Sequence, residues 1–274
     1  MIYRTIPLTH GNDEKANLRI TCHDYSPEMY VQERPFMMVI PGGGYEYVSD
    51  READPIANAF IAAGYHVGIL TYSTAPHTFP TPYFQAFEAL KYVIDNASEL
   101  HIDTDNLAVC GFSAGGHLAG LVGTGLNDPL VLKEFNVPEG FFKLKGMILS
   151  YAVIDGGEFA HRGSFDNLLG KDKDDPEVIK KMSIQNRVTE KTPKAFLWST
   201  FEDGSVPCEN TLMMADALRK HKVPFELHIF PVGGHGLALS TFLTQAKDRG
   251  GCEPYCAKWV GLAIEWLNMI FEWK

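Results

Sequence analysis

Leu107-Ala108-Val109-Cys110-Gly111-Phe112-Ser113-Ala114-Gly115-Gly116-His117 joins an apolar run to an alanine- and leucine-rich one through Gly-x-Ser-x-Gly. The run Leu107 to Cys110 reads as a strand, and Ala114 to Gly123 as a helix. A strand that turns so abruptly into a helix leaves no room for side chains at Gly111 and Gly115, which accounts for both glycines. The turn lifts the Ser113 hydroxyl out above a sheet. It also sets the helix N-terminus, with the Ala114 N–H, where negative charge would develop on a carbonyl under attack. The pentad alone recurs by chance in glycine-rich chains; its meaning comes from the strand before it and the helix after it.

The same alternation runs outward in both directions. Phe36 to Ile40 reads as a strand ending at Pro41, Ala53 to Ala63 as a helix stopped by Gly64, and His66 to Leu70 as a strand. Tyr83 to Leu100 carries helical spacing at Phe84, Phe87, Ala89, Leu90, Val93 and Ile94. Met147 to Leu149, Ala195 to Trp198 and Glu226 to Phe230 read as strands, and Glu209 to His221 and Tyr255 to Trp273 as helices. Apolar strands separated by helices predict an α/β chain whose central sheet is mostly parallel and covered by helices on both faces. In such sheets ligands bind beyond the carboxyl ends of the strands, so the residues just after each strand are the ones to inspect. Residues 1–274 are expected to form a single domain. Two stretches richer in charge, glycine and proline, 126–144 and 156–194, interrupt the alternation as cap-like insertions. Lys171 to Asp175 within the second reads as a solvated turn before a helix.

A serine hydroxyl needs a base within hydrogen-bond reach, and the base needs an orienting acid. Both should come later in the chain and both after strands. After the strand at Trp198 comes Ser199-Thr200-Phe201-Glu202-Asp203-Gly204-Ser205-Val206-Pro207. Asp203 is the candidate acid, because Asp-x-x-Val-Pro folds the loop back toward the next helix; Glu202 is its competitor. After the strand at Phe230 comes Pro231-Val232-Gly233-Gly234-His235-Gly236. His235 is the candidate base, since a histidine among glycines has little to pack against. His66, His77, His117 and His161 are alternatives; His117, in the helix behind Ser113, is expected to pack or cap there, and the other three lie at positions without partner logic.

Ile40-Pro41-Gly42-Gly43-Gly44-Tyr45 follows an early strand. Consecutive glycines let backbone N–H groups approach an oxyanion, so Gly43, Gly44 and Ala114 are the candidate oxyanion-hole donors. A phosphate loop would need a following Lys-Ser/Thr, which is missing. By position, Tyr45, Tyr151, Phe201 and the segment from Gly156 are expected to line the pocket.

The formal net charge of −10 argues against a nucleic-acid partner and favours a neutral substrate over an anionic one. No run of 18 apolar residues suggests a membrane span. Five scattered cysteines make no disulfide framework, and Cys252 and Cys256 lack the further ligands of a metal site. With no signal-like N-terminus, a reducing, cytoplasmic location is expected. Assembly of like chains into a homo-oligomer stays open.

Four stretches together resemble one family: Pro41-Gly42-Gly43-Gly44-Tyr45, Gly111-Phe112-Ser113-Ala114-Gly115-Gly116-His117-Leu118-Ala119, Asp203 to Pro207, and Gly233-Gly234-His235-Gly236-Leu237. They resemble the acetyl-esterase and hormone-sensitive-lipase-like branch of the α/β hydrolases, and within it bacterial acetylxylan or carbohydrate acetyl esterases. The likeness runs from about Phe36 to the C-terminus. It implies an α/β-hydrolase fold and a serine carboxylesterase acting through Ser113, Asp203 and His235 on short-chain, chiefly acetyl, esters of small molecules, sugars or xylan fragments. It implies neither metal nor organic cofactor. The lipase-like group usually has His-Gly-Gly-Gly, and Pro41 stands in place of that histidine. Two rival readings are a small serine peptidase of the same fold and a non-catalytic binding module. The first normally carries a large extra domain, and the second normally lacks a triad residue.

Overall fold

Each face of the central sheet has its own hydrophobic core, and the strands serve both by alternation. Along β3 (Arg34–Ile40), Phe36, Met38 and Ile40 join one buried cluster, while Met37 and Val39 join the other. A strand buried on both faces must be apolar at every position, which is why these segments read as unbroken hydrophobic runs. The computed structural model describes residues 1–273. Among them β1 (Ile2–Pro7), β2 (Asn17–Cys22), β3, β4 (His66–Thr71), β5 (Ile102–Phe112), β6 (Gly146–Ser150), β7 (Lys194–Thr200) and β8 (Phe225–Phe230) form one sheet in the order β1-β2-β4-β3-β5-β6-β7-β8. Pairing from β4 through to β8 is parallel. This is the architecture of the α/β-hydrolase fold.

The helices are α1 (Asp54–Ala62), α2 (Thr81–Asp95), α3 (Ala97–Leu100), α4 (Ser113–Thr124), α5 (Pro129–Phe135), α6 (Arg162–Leu169), α7 (Pro176–Met182), α8 (Glu209–Lys220) and α9 (Trp259–Phe271). Buried residues of α2, α4 and α8 cover one face of the sheet, and those of α1 and α9 the other. β3 lies between β4 and β5, so the chain leaves it in one direction and returns on the other side. That reversal opens a crevice beyond the strand ends. Ile40 pairs with Gly111, which sets the loop after β3 directly beside the turn into α4.

Three expectations change. The antiparallel strands β1 and β2 extend the sheet beyond β4. Their half-buried alternation carries no apolar run to mark them. The helix expected over 83–100 breaks at Asn96, whose side-chain amide donates to the Tyr92 carbonyl. The last helix begins at Trp259, after a 3-10 turn over Cys256–Lys258. The segment 126–144 carries α5, whose Val131 joins the core together with Phe142. The segment 156–194 carries α6 and α7, and Lys171 to Asp175 leads into α7 with Asp175 capping its N-terminus.

Candidate active site

The turn from β5 into α4 is closed to side chains on both sides of Ser113. A Cβ on Gly111 would lie 2.3 Å from the Gly115 carbonyl oxygen, and one on Gly115 would lie 2.2 Å from the carbonyl oxygens of both Ile40 and Pro41. Ser113 itself has φ +52, the left-handed conformation that a serine adopts only when its surroundings enforce it. Its Oγ points to the loop after β8. There the Ser113 hydroxyl reaches His235 Nε2 at 2.8 Å, and His235 Nδ1 reaches Asp203 Oδ2 at 2.7 Å. A carboxylate only accepts, so the imidazole proton sits on Nδ1 and leaves Nε2 free to accept from Ser113.

Asp203 is held by its own loop. Its Oδ1 accepts from the N–H groups of Ser205 and Val206, both at 2.9 Å, and its side chain is fully buried. Those bonds fold the chain back after β7 and aim Oδ2 at the histidine. The competitor Glu202 turns elsewhere, accepting from the Gly233 N–H at 3.1 Å and so bracing the histidine loop. The Thr200 hydroxyl donates to the Gly233 carbonyl at 2.6 Å from the same side. The Tyr151 ring meets His235 edge-on, centroids 5.1 Å apart.

The glycine loop after β3 has nearly all its polar groups committed. The Pro41 carbonyl accepts from the Tyr72 hydroxyl, that of Gly42 from the Ser49 N–H, that of Gly43 from the Glu46 and Tyr47 N–H groups, and that of Gly44 from the Asn167 amide. The Gly42 N–H donates to Glu52. Among the described residues, the N–H groups of Gly43 and Gly44 have no protein acceptor, and both glycines line the cavity over Ser113. Gly43 has φ +126, which a side chain would resist. Ala114 is the second residue of α4, where no acceptor lies one turn back within the helix. The three candidate donors thus carry N–H groups not spent on the fold.

The cavity measures about 220 Å³ and is walled by Glu46, Tyr47, Arg51, His161, Ser205 and Gly236 around Ser113 and His235. Of the side chains expected to line it, Tyr45 is buried with its hydroxyl on His117 Nδ1 at 2.9 Å, and Phe201 points to solvent, 72% exposed. Tyr151 packs behind His235, outside the cavity wall. From the segment after Gly156, His161 reaches the wall, whereas 126–144 contributes nothing to it. His117 donates from Nε2 to the Met182 carbonyl at 2.8 Å, and burial pushes its pKa down to about 4. It packs behind Ser113 as a neutral side chain. His66 lies at the other end of β4, while His77 follows that strand, and neither borders the cavity.

Glu52 escapes sequence reasoning. It is 4% exposed, on a 3-10 turn before α1, and its Oε1 and Oε2 accept from the Tyr151 hydroxyl at 2.6 Å and the Gly42 N–H at 2.8 Å. Burial holds its carboxyl above the usual carboxylate range, and those two hydrogen bonds, with the nearby His235, offset only part of that rise. Ser49-Asp50-Arg51-Glu52 reads as a solvated charged turn, and no sequence signal marks one of its carboxylates as buried. Among the described residues, no group of three His, Cys, Asp or Glu converges as a metal site.

A family model described as BD-FAE matches residues 24–218. Endo-1,4-beta-xylanase B of Butyrivibrio fibrisolvens is 35% identical over 214 residues, 76% of this chain and 33% of that protein. Acetylxylan esterase of Xylanibacter ruminicola is 31% identical over 209 residues, 74% of this chain and 41% of that protein. The chain therefore spans between a third and a half of the length of these curated relatives. The solved structure of an acetyl ester-xyloside bifunctional hydrolase from Caldicellulosiruptor lactoaceticus superposes with a TM-score of 0.82 at 37% identity, over 98% of this chain and 96% of that one.

Proposed function

The chain belongs to the BD-FAE family, and from that premise we propose that it is a serine carboxylesterase that removes short acyl groups, acetyl above all, from sugar or xylan-fragment esters. The observation that carries this reading is His235 bridging Ser113 at 2.8 Å and Asp203 at 2.7 Å. In the proposed reaction His235 Nε2 takes the Ser113 proton as Oγ attacks the ester carbonyl. Asp203 holds the imidazole in the accepting tautomer and stabilises the imidazolium. The oxyanion meets the N–H groups of Gly43, Gly44 and Ala114. His235 then protonates the departing alcohol, and water, activated by the same histidine, releases the acid from Ser113.

The short-acyl preference is supported by the cavity of about 220 Å³, below the roughly 300 Å³ where pockets for drug-sized ligands begin. The polar wall of Glu46, Arg51, His161 and Ser205 suits a hydroxyl-rich alcohol. The acetylxylan esterase and the acetyl ester-xyloside hydrolase among the relatives support the same substrate class.

The test is hydrolysis of 4-nitrophenyl acetate by the wild type and Ser113→Ala, followed by an acyl series and acetylated xylo-oligosaccharides. The alanine variant should lose about 10⁶-fold in kcat while melting like the wild type. Retained turnover removes Ser113 from the mechanism. A series peaking at octanoate or beyond overturns the short-acyl preference.

A further inference from the structure

Two loops must hold register for the proposed chemistry, and they come from distant parts of the chain: the glycine loop after β3 and the His235 loop after β8. One buried carboxylate joins them. Glu52 Oε2 accepts from the Gly42 N–H, and Oε1 accepts from the Tyr151 hydroxyl. The Tyr151 oxygen in turn accepts from the Ala238 N–H at 2.9 Å, three residues beyond His235. The Tyr151 ring packs edge-on against His235 on one side and against Trp198 on the other, centroids 5.1 and 5.0 Å apart. The carboxylate lies close to the nucleophile as well: a Cβ on Gly42 would be 2.8 Å from Glu52 Oε2 and 3.0 Å from Ser113 Cβ.

We propose that Glu52 is a positioning residue that sets the oxyanion loop through Gly42 and the His235 loop through Tyr151, so that both sides of the reacting carbonyl are fixed by one side chain. The inference rests on the esterase reading above but concerns a residue outside the triad and the oxyanion donors. With the Gly42 N–H tied to Oε2, the next peptide is held so that the Gly43 N–H faces the cavity. With the Tyr151 hydroxyl tied to Oε1, its ring backs the imidazole and its oxygen anchors the chain just after His235. Both roles need an acceptor at each carboxylate oxygen. Glutamine offers one acceptor and one NH₂: with its oxygen on the Gly42 N–H, its NH₂ must donate to the Tyr151 oxygen, which already accepts from the Ala238 N–H, so the link reverses and the Tyr151 hydroxyl proton loses its acceptor. Displacing a reacting group by about 1 Å can cost on the order of 100-fold.

The experiment compares wild type, Glu52→Gln, Tyr151→Phe and the double variant in two readouts: hydrolysis of 4-nitrophenyl acetate, and the rate at which a fluorophosphonate labels Ser113. Melting by circular dichroism runs alongside. Glu52→Gln should lower kcat by roughly 10- to 100-fold with KM little changed, and slow labelling by a similar factor. Tyr151→Phe should lower both by less, and the double variant should be no slower than Glu52→Gln, because the two residues act as one unit. Wild-type rates in both single variants, or effects that multiply in the double variant, overturn the proposal. A Glu52→Gln chain that does not fold leaves the decision to Tyr151→Phe, which keeps the ring and removes only the hydroxyl link. A wild type that takes the label without cleaving the acetate refutes the ester reading, while the labelling rates still decide the role of Glu52.

Discussion

Replacing Asp203 by asparagine should nearly abolish turnover and leave the fold almost untouched, and the reason lies in the geometry of its two oxygens. Oδ1 accepts from the Ser205 and Val206 N–H groups at 2.9 Å. An asparagine in that place must keep its oxygen there, since its NH₂ would face two donors. The NH₂ then takes the position of Oδ2, 2.7 Å from His235 Nδ1. Two donors cannot face each other, so the imidazole proton moves to Nε2, which can no longer accept from Ser113. In serine proteases the corresponding change lowers kcat about 10⁴-fold, equivalent to roughly 5 kcal/mol of barrier at about 1.4 kcal/mol per factor of ten. Asp203→Ala separates the catalytic role from the structural one. It removes the acceptor for two N–H groups, the Val206 one buried, at roughly 1–3 kcal/mol for each group left buried without a partner. The alanine variant should therefore melt several degrees below the asparagine variant. The assay is kcat on 4-nitrophenyl acetate with thermal melting of all three chains. An asparagine variant within about tenfold of wild-type kcat would refute the tautomer argument, and equal melting of both variants would refute the anchoring role of Oδ1.

Gly115→Ala should be one of the costly single substitutions in the chain, since its Cβ would meet backbone carbonyls at 2.2 Å that no rotamer change can move; a melt within about 1 kcal/mol of wild type would contradict it. Burial pushes His66 and His117 from 6.5 down to about 4. Between those values the unfolded chain binds protons that the folded chain does not, so stability should fall as pH drops from 6.5 toward 4, with the full loss reached below that. Each histidine can account for up to about 3 kcal/mol. Urea midpoints across this range should show the slope, and His117→Gln, which does not titrate, should flatten it; an unchanged slope removes His117 from the account. Tyr72→Phe should slow turnover modestly, because its hydroxyl holds the Pro41 carbonyl at 2.8 Å; kcat indistinguishable from wild type would show that the glycine loop holds its shape without it.

Sequence reading carries furthest here where a candidate residue stands at a strand end. Ser113, Asp203 and His235 each follow an apolar run and stand among glycines or turn formers, so local pattern alone points to them, and the fold brings them within hydrogen-bond reach. It fails where the decisive quantity is burial imposed by distant segments. Glu52 shares its short charged stretch with Asp50 and Arg51, and only the approach of Tyr151 from β6 and Gly42 from β3 makes it an interior carboxylate. Phe201 misleads for the opposite reason: it follows β7 as Asp203 does, but its N–H pairs with the Phe230 carbonyl and its ring is left in solvent. The strands β1 and β2 escape because a half-buried ribbon shows alternation without an apolar core signal.

Pro41, the one departure from the lipase-like His-Gly-Gly-Gly pattern, is accounted for by the same contacts. Proline has no N–H to satisfy and a fixed φ, so it stiffens the exit from β3 without adding a donor that would need a partner. Its carbonyl is held by Tyr72, and the first free N–H after it, that of Gly42, is taken by Glu52. The next two N–H groups are then those of Gly43 and Gly44, which have no protein acceptor among the described residues and belong to residues that line the cavity. A histidine at this position could anchor the loop by its side chain. Here a tyrosine from β4's exit and a buried glutamate anchor the backbone itself, which makes the loop's geometry depend on Glu52 and Tyr72 where a histidine-bearing loop could depend on its own side chain.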